Sequence, residues 1–411
     1  MTDDAWSADE TLCVHPPKPD MGGFKSLSPP LYRGSTIAFE SGEAYARRND
    51  KGPDAYSYGL HGTPTVRMLE AQIAVLEGGV RAVVTPSGLS ALVLVMQTVL
   101  NAGDEVLIPD TIYPPVREFA DFHLARMGIA VTYYPPCVGS KITEWLSPIT
   151  RLVLVESPGS TTMEMQDIPA IVASVHQQGA LVCCDNTWAS PLYLKPLALG
   201  ADFSVEALTK YAGGHSDLLM GSVAVRDYAL FEQLKRTFKL FGLGVSPDDA
   251  LLVLRGIKTM AVRLAHSSAV ALRIATKLRE RPEIEAILHP ALPEFNGHDL
   301  WQRDYNGAGS VFTVVVRREF RASLAQALDA VRIFSIGASW GGVHSILAPM
   351  SLAGLRTVQT DTSEGPYLRV SIGLEREDDL MADLIKLLEQ LRPEVAGVRE
   401  EVVSQTGDVK C

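Results

Sequence analysis

Between residues 82 and 186, short apolar segments alternate with longer segments that show helical periodicity. Strands are predicted for the apolar segments AVVTPSG, EVLIPD, IAVTYY, RLVLVESPG and ALVCCDN. Apolar strands separated by helices are typical of a parallel sheet that is covered on both faces. Ligands bind such sheets at the carboxyl ends of the strands, so the residues that follow each strand are the first candidates for a functional site.

The flanking segments complete the predicted architecture. From Pro64, apolar residues recur at helical spacing as far as Gly78, which ends the predicted helix. After about residue 250 the pattern changes. One long helical segment covers residues 248–281, and it is followed by a helix near 320–330 and by the segments SVFTVVVRR, YLRVSIGLE and DDLMADLIKLLEQL.

The chain is longer than one hydrophobic core usually serves, so we predict more than one domain. Residues 1–60 are rich in proline and form an arm that contributes to a neighbouring subunit. Residues 61–250 form a large ligand-binding domain, and residues 251–411 form a smaller α+β domain. The polar residues after about 395 form a frayed tail.

Composition excludes several classes of protein. Apolar residues make up 46% of the chain and charged residues 21%, which indicates a globular protein. The net charge of -11 disfavours a nucleic-acid partner. Five cysteines without a C-x-x-C pair indicate free thiols in a reducing compartment. The acidic N-terminus is not a signal peptide, and no apolar segment is long enough for a membrane span, so we expect a cytoplasmic protein without a membrane partner.

Four features near the predicted strand ends have one chemical use in common. Ser87–Leu89 begin a predicted helix, whose N–H groups can bind a phosphate. Tyr113 and Asp185 follow two strands, and Lys210 lies in the uncharged segment LTKYA, where a surface ion pair explains it poorly. Taken singly, the serine and the aspartate are explained as well by helix caps or turns. Together the four supply what pyridoxal phosphate needs: an amine for a Schiff base, a carboxylate for the pyridinium nitrogen, a stacking ring and a phosphate site.

The segment DNTWASPLYLKPLALGADFSVEALTKYAGGHSD resembles the cysteine/methionine-metabolism family of pyridoxal-phosphate enzymes. The motifs YSYGLHGTPT, SGLSA, ESPGS, ASWGG and LRVSIGLE extend the resemblance from about Tyr56 to about Leu391. It implies an α/β fold of the aspartate-aminotransferase type (fold type I), with a mostly parallel seven-stranded sheet in the large domain. It also implies a homotetramer built from dimers that share active sites.

Three residues resemble the branch of this family that cleaves at the β-carbon of its substrate. Relatives that act at the γ-carbon usually carry asparagine where this chain has Ser160, and another residue where it has Trp188. They also lack the SIGASWGGVHS form of the segment that contains Trp340. The implied reaction is therefore the β-elimination of L-cystathionine to homocysteine, pyruvate and ammonia.

The resemblance also implies residue roles. Catalytic roles fall to Lys210, which carries the Schiff base, and to Tyr58 and Tyr113. The cofactor-binding residues are Gly88, Leu89, Tyr113, Asp185, Thr209 and Lys210. The substrate-binding residues are Ser339, Trp340 and Arg369. Arg369 corresponds to the arginine that binds the substrate α-carboxylate, for which a guanidinium offers two parallel donors, and Tyr58 to the tyrosine that reaches the neighbouring subunit's site. No metal ligands are expected.

One departure concerns the phosphate site. The family commonly has an arginine shortly after the tyrosine that corresponds to Tyr58, and this arginine binds the phosphate across the dimer interface. Here the residues are Gly59, Leu60 and His61. Leucine cannot bind a phosphate, so either His61 or another basic group compensates, or the cofactor binds more weakly.

Alternatives remain at this level. A γ-carbon relative (cystathionine γ-synthase, cystathionine γ-lyase or methionine γ-lyase) or a broad cysteine-S-conjugate β-lyase would share the cofactor site. A catalytically weak cofactor-binding or regulatory protein is favoured only by Leu60. A nicotinamide-dependent oxidoreductase is disfavoured because no G-x-G-x-x-G follows a strand.

Overall fold

The computed structural model describes residues 8–17, 26–48, 50, 52–53, 55–358 and 365–393. The polar tail after residue 395, part of the predicted arm and Cys411 lie outside these residues. The four cysteines within them, Cys13, Cys137, Cys183 and Cys184, are free thiols, as the sequence indicates. None of the described helices has both the length and the apolar character needed to cross a bilayer.

In the described part of the chain, a seven-stranded sheet forms the larger layer. Its strands are β1 (Arg81–Thr85), β2 (Glu105–Pro109), β3 (Ala130–Tyr134), β4 (Thr150–Glu156), β5 (Leu181–Asp185), β6 (Phe203–Glu206) and β7 (Gly221–Val225). Their order across the sheet is β1-β7-β6-β5-β4-β2-β3. Strand β7 pairs antiparallel with both of its neighbours, and the other pairs are parallel. This confirms the predicted mostly parallel sheet.

Helices cover both faces of this sheet, and two short helices lie in the arm. Those up to β7 are α1 (Asp9–Val14), α2 (Gly42–Ala46), α3 (Pro64–Glu77), α4 (Gly88–Val99), α5 (Pro114–Phe119), α6 (Ile168–Gln177) and α7 (Ser190–Tyr193). On one face of the sheet, the core between sheet and helices includes Val83, Leu92 and Phe231. On the opposite face, two further clusters include Leu69 and Ile171. The apolar character of both strand faces follows from this double cover.

Two segments differ from the simple pattern that the sequence indicates. The helix predicted over residues 114–128 is α5 followed by a π-helical segment, Ala120–Leu124. The arm is not wholly irregular, because α1 packs on its own chain: Cys13 is buried and the Gln72 amide donates to the Leu12 carbonyl at 2.8 Å. Whether other arm residues reach a neighbouring subunit stays a prediction.

The strands that follow residue 278 in the chain form a second, smaller sheet. The remaining helices are α8 (Tyr228–Phe241), α9 (Pro247–Leu278), α10 (His298–Asp304), α11 (Leu324–Leu328) and α12 (Glu377–Glu389). The remaining strands are β8 (Ile284–Leu288), β9 (Val311–Val316), β10 (Ser335–Ile336), β11 (Ile346–Met350) and β12 (Tyr367–Ser371), in the order β10-β11-β12-β9-β8. This is the smaller α+β layer that the sequence predicts.

A buried ion pair joins α3 to α8. The Lys235 amine donates to the Glu70 carboxylate at 3.0 Å, and Arg67 donates to the other oxygen at 2.7 Å. The side chains of Lys235 and Glu70 are only 1% and 5% exposed. Removal of one partner from such a pair leaves a buried charge uncompensated, which is strongly unfavourable.

We therefore predict that Glu70→Ala lowers the free energy of unfolding by about 3 kcal/mol. The matched control is Glu43→Ala, which breaks a 3.4 Å pair with Arg47 on the surface and should cost less than about 1 kcal/mol. Urea unfolding followed by circular dichroism measures both. Equal urea midpoints for the two variants would show that the buried pair stabilises the protein no more than the surface pair.

Candidate active site

A pocket opens at the carboxyl ends of the central strands. Its volume is about 1080 Å³ when its open mouth is included. Of the residues predicted from the sequence, those that line it are Gly88, Leu89, Tyr113, Ser160, Asp185, Trp188, Thr209, Lys210, Trp340 and Arg369. Ser339 reaches the pocket through Lys210, whereas Tyr58 does not line it. The fold thus brings together residues that are up to 281 positions apart, from Gly88 to Arg369.

Lys210 is held in the turn that follows β6. Its backbone N–H donates to the Ala207 carbonyl at 2.9 Å, and its carbonyl accepts from Gly214 at 2.7 Å. The Nζ donates to Ser339 Oγ at 2.9 Å and lies 5.0 Å from the centre of the Trp340 ring. Burial and the Arg369 charge lower the pKa of Lys210 to about 8, although Asp185 acts in the opposite direction. A substantial fraction of the amine is therefore neutral near pH 8.

Asp185 is the last residue of β5. Its Oδ1 accepts from the Thr187 N–H at 3.0 Å and from the Thr187 hydroxyl at 2.5 Å. Burial raises the pKa of Asp185, while the Thr187 hydrogen bonds and the Lys210 charge lower it. Its carboxylate is thus oriented by hydrogen bonds and has a cation nearby.

Glu156, which ends β4, is a pocket residue that the sequence reasoning missed. It is in register with Asp185, and its Oε2 accepts the Tyr113 N–H at 2.7 Å. Burial, and then the Asp185 charge, raise its pKa well above the usual value. Two adjacent buried carboxyls do not both ionise easily, so each disfavours the charged form of the other. The available signal was its place as the first residue of ESPGS, directly after an apolar strand.

Tyr113 precedes α5 and presents its ring to the pocket. The residue is 44% exposed. Burial raises the pKa of its hydroxyl, and the Arg369 charge lowers it. The ring is therefore available for stacking, with its hydroxyl protonated at neutral pH.

The N-terminus of α4 borders the pocket. Ser87 caps the helix by accepting the Ser90 N–H at 3.1 Å, and the Ser90 hydroxyl bonds back to Ser87. Gly88 and Leu89 then occupy the first turn, where helix N–H groups have no intrahelical partner. A side chain at Gly88 would lie 2.6 Å from the Ala207 Cβ, so only glycine fits there. Thr209 also lines the pocket, but its hydroxyl donates to the Met220 carbonyl at 3.1 Å.

Arg369, in the middle of β12, extends into the pocket from the smaller sheet. It donates through Nη2 to the carbonyls of Ala338 and Ser339. Burial lowers the pKa of the guanidinium, yet an arginine remains charged at neutral pH. It is therefore a fixed cation across the pocket from the strand ends.

Two tryptophans fix the contact between the sheets. The Trp188 ring N–H donates to the Val311 carbonyl at 3.0 Å, and its ring meets Tyr305 edge-on at 6.4 Å. Trp340 packs edge-on against Tyr211 at 5.5 Å. Both rings form apolar pocket walls, one from each sheet layer.

The segment around Tyr58 lies outside this chain's pocket. Tyr58 is 51% exposed, and Leu60 packs against Gly244. His61 Nδ1 lies 2.7 Å from the Ser57 hydroxyl. Burial and the charges of Lys239, Lys235 and Arg67 lower the pKa of His61, so a cationic imidazole that replaces the missing arginine is disfavoured.

The pocket fits pyridoxal phosphate on the observations of this structure. Lys210 offers an amine with a lowered pKa, and Asp185 offers a buried carboxyl oriented by Thr187. The first turn of α4 offers N–H donors for a phosphate, next to a backbone approach that only Gly88 permits. Tyr113 offers a half-exposed ring. The residue types are those that this cofactor requires.

Comparison with known proteins agrees with this geometry. The model of a family described as Cys/Met metabolism PLP-dependent enzyme matches residues 10–389. The cystathionine β-lyase of Bordetella avium is 38% identical over 398 residues, which cover 95% of this chain and 100% of that protein. The cystathionine β-lyase of Escherichia coli is 37% identical over 362 residues, which cover 86% of this chain and 91% of that protein.

Solved structures confirm the fold class that the resemblance implies. The crystal structure of cystathionine γ-synthase from Xanthomonas oryzae pv. oryzae, in complex with aminoacrylate and cysteine, superposes with a TM-score of 0.85. The two sequences are 30% identical, and the match covers 93% of this chain and 98% of that chain.

The lowered pKa of Lys210 can be tested on protein freed of cofactor. We predict that trinitrobenzenesulfonate labels this lysine half-maximally near pH 8, whereas exposed lysines in the same sample require about pH 10. Arg369→Met removes a positive charge that favours the neutral amine, so the midpoint should move upward. Mass spectrometry of the labelled peptide measures both midpoints. A wild-type midpoint equal to that of exposed lysines would contradict the assignment.

Proposed function

The chain belongs to the family of Cys/Met metabolism PLP-dependent enzymes, and we propose that within this family it is a carbon–sulfur lyase that cleaves L-cystathionine by β-elimination. One cystathionine and one water give homocysteine, pyruvate and ammonia. Relatives over most of the chain that are named cystathionine β-lyases support this reaction. A role in methionine biosynthesis follows, since homocysteine is a product.

The observation that carries the proposal is the meeting of three charged groups in one pocket. The Lys210 amine has a pKa of about 8, which burial and the Arg369 charge lower and the Asp185 charge raises. A general base works best when its pKa is close to the working pH. An arginine beside it suits a substrate carboxylate. The pocket therefore combines a base and a carboxylate clamp with a site for the cofactor.

Bound pyridoxal phosphate supplies an aldehyde that condenses with an amine and a ring that accepts an electron pair. We assign Lys210 as its attachment point, Asp185 as the partner of its ring nitrogen and Tyr113 as the stacking ring. The N–H groups of Gly88 and Leu89, together with the Thr209 hydroxyl, hold the phosphate. For Thr209 this requires a rotation away from Met220, to which it donates now.

We assign the proton transfers to Lys210. In its neutral form the amine removes the proton from the substrate Cα, and its contact with Ser339 at 2.9 Å keeps it oriented. Arg369, positioned by the carbonyls of Ala338 and Ser339, binds the substrate α-carboxylate. The electron pair released at Cα leads to cleavage of the Cβ–S bond. The protonated amine then gives its proton to the departing sulfur, so that homocysteine leaves as a thiol.

The walls of the pocket favour cleavage at the β-carbon over the γ-carbon alternative. Ser160, Trp188 and Trp340 all line the pocket, and all three resemble the β-cleaving branch. Product identity decides between the reactions. Purified protein with added pyridoxal phosphate and L-cystathionine should yield pyruvate and homocysteine. Formation of 2-oxobutyrate and cysteine would establish γ-cleavage instead and show that these pocket residues were misinterpreted.

Variants of two residues test the assigned roles. Lys210→Ala should reduce turnover to background because the base is lost. Arg369→Ala should raise KM for L-cystathionine more than tenfold, since a charge-assisted hydrogen bond contributes about 1.5–3 kcal/mol. Steady-state kinetics of pyruvate release measure both. Full activity in Lys210→Ala, or an unchanged KM in Arg369→Ala, would remove the corresponding role.

We further propose a cytoplasmic homotetramer of dimers in which Tyr58 completes the neighbouring subunit's site. Its support is that the ring is 51% exposed and does not line its own pocket. Large apolar side chains such as Leu219 at the pocket and Phe241 on α8 are also exposed, at 68% and 56%. Surfaces of this kind are typical of subunit contacts.

Mixed oligomers test this arrangement. Tyr58→Phe and Lys210→Ala should each be impaired alone. After the two are unfolded together and refolded, a mixed dimer contains one site with both native residues, so part of the activity should return. No recovery, in a mixture that light scattering shows to be oligomeric, would place Tyr58 in the site of its own chain.

A further inference from the structure

Residues 157–163 form a strained wall of the pocket. Pro158, Gly159, Ser160, Thr161 and Met163 all line it. Thr161 and Met163 adopt left-handed backbone conformations, with φ of 70° and 62°. Such values are rare for residues other than glycine, and for a β-branched threonine they are especially unfavourable. A conformation of this kind persists only where surrounding contacts hold it.

The larger sheet layer holds part of this wall. The Ser160 N–H donates to the Thr111 carbonyl at 2.9 Å, and Met163 donates back to Gly159 at 3.1 Å. The Thr111 side chain packs so closely on Gly159 that a Cβ there would lie 2.5 Å from its hydroxyl. These contacts hold Gly159, Ser160 and the backbone of Met163, but none of them reaches the strained Thr161.

Arg356, which follows β11 in the smaller sheet layer, holds the part of the wall around Thr161. Its Nη2 donates to the Thr162 hydroxyl at 2.7 Å and to the Ser160 carbonyl at 3.4 Å, one residue on either side of Thr161. Its Nη1 donates to the Asp110 carbonyl at 2.6 Å. The side chain is partly buried, and its charge opposes, without cancelling, the rise in the pKa of Glu156 that burial and Asp185 cause.

The residues next to Arg356 anchor it to the end of β2. Thr357 donates to the Asp110 carboxylate from its N–H and from its hydroxyl, both at 3.0 Å. The Val358 N–H donates to the same carboxylate at 3.1 Å, and the Arg117 guanidinium of α5 donates to it at 2.6 Å. Tyr113 lies between Asp110 and Arg117 in the chain. The segment 356–358 therefore joins the smaller sheet layer to both the strained wall and the start of the Tyr113 helix.

We propose that Arg356 is a positioning residue that sets the shape of the Ser160–Met163 wall and thereby the selectivity of the lyase for its leaving group. The inference rests on the proposed lyase function for its kinetic part. Arg356 does not line the pocket, so it acts through the loop and not by contact with substrate.

The geometry explains why an arginine stands here. The two terminal nitrogens of one planar group reach acceptors on two different elements, Asp110 at the end of β2 and Thr162 in the loop. A lysine has a single terminal nitrogen and cannot span both in this fixed arrangement. Replacement of the guanidinium by a lysine amine should therefore release the Ser160–Met163 loop, although the positive charge is kept.

The test compares Arg356→Lys and Arg356→Met with Arg303→Lys. Arg303 in α10 is the matched control, because it also joins the two sheet layers, through Asp167 at 2.7 Å, but does not touch the wall. In both Arg356 variants we expect kcat/KM for L-cystathionine to fall about tenfold or more, which corresponds to about 1.4 kcal/mol. For S-methyl-L-cysteine, whose leaving group is short, the fall should be much smaller. Arg303→Lys should leave the ratio of the two values unchanged.

Two further measurements separate positioning from general damage. Amide hydrogen exchange at Ser160, Thr162 and Met163 should become faster in the Arg356 variants and not in Arg303→Lys, and this readout needs no turnover. Thr162→Val removes the acceptor, so its kinetic effect and that of Arg356→Lys should combine to less than their product. If the wild type itself releases no pyruvate, the proposed function fails while the exchange result still tests Arg356. The inference would be overturned if the loop amides exchanged as in the wild type in all variants and the ratio of the two kcat/KM values stayed unchanged.

Discussion

The site depends on the burial of one lysine amine between two opposite charges. Burial and the Arg369 charge lower the pKa of the Lys210 amine to about 8, and the Asp185 charge acts against them. Each charge belongs to a different element: Asp185 ends β5 of the larger sheet, and Arg369 lies in β12 of the smaller one. The pKa that suits the amine for proton transfer therefore exists only while both sheet layers are docked.

Much of the fold was predictable because its strands are apolar on both faces. The segments missed are those where this rule fails. Strand β6 is only four residues long and carries the buried polar side chains of Ser204 and Glu206, so its sequence does not resemble a strand. The antiparallel pairing of β7 with β1 and β6 was equally hidden, since no local pattern specifies an antiparallel strand within a parallel sheet. The resemblance supplied the count of seven strands that periodicity alone could not.

The candidate site was predictable to the extent that its residues follow strands or match motifs. Asp185 and Tyr113 follow strands, and Lys210 stood out by its uncharged neighbours. Glu156 also ends a strand, but a single glutamate there is explained equally well by a surface position, and only the structure shows its burial beside Asp185, which raises its pKa. Arg356 carried no signal at all, because its partners Asp110 and Thr162 are 246 and 194 residues away in the chain.

Three polar contacts between the layers lie around the pocket. Lys210 bonds to Ser339, Trp188 to Val311, and Arg356 to Asp110. Each of these bonds joins a wall of the site to the opposite layer, so a change in docking would alter the base, the apolar walls and the Ser160 loop together. Strain at Thr161 is tolerable in this arrangement because the contacts that dock the layers also hold the loop. These three hydrogen bonds thus contribute both to the docking of the layers and to the shape of the pocket.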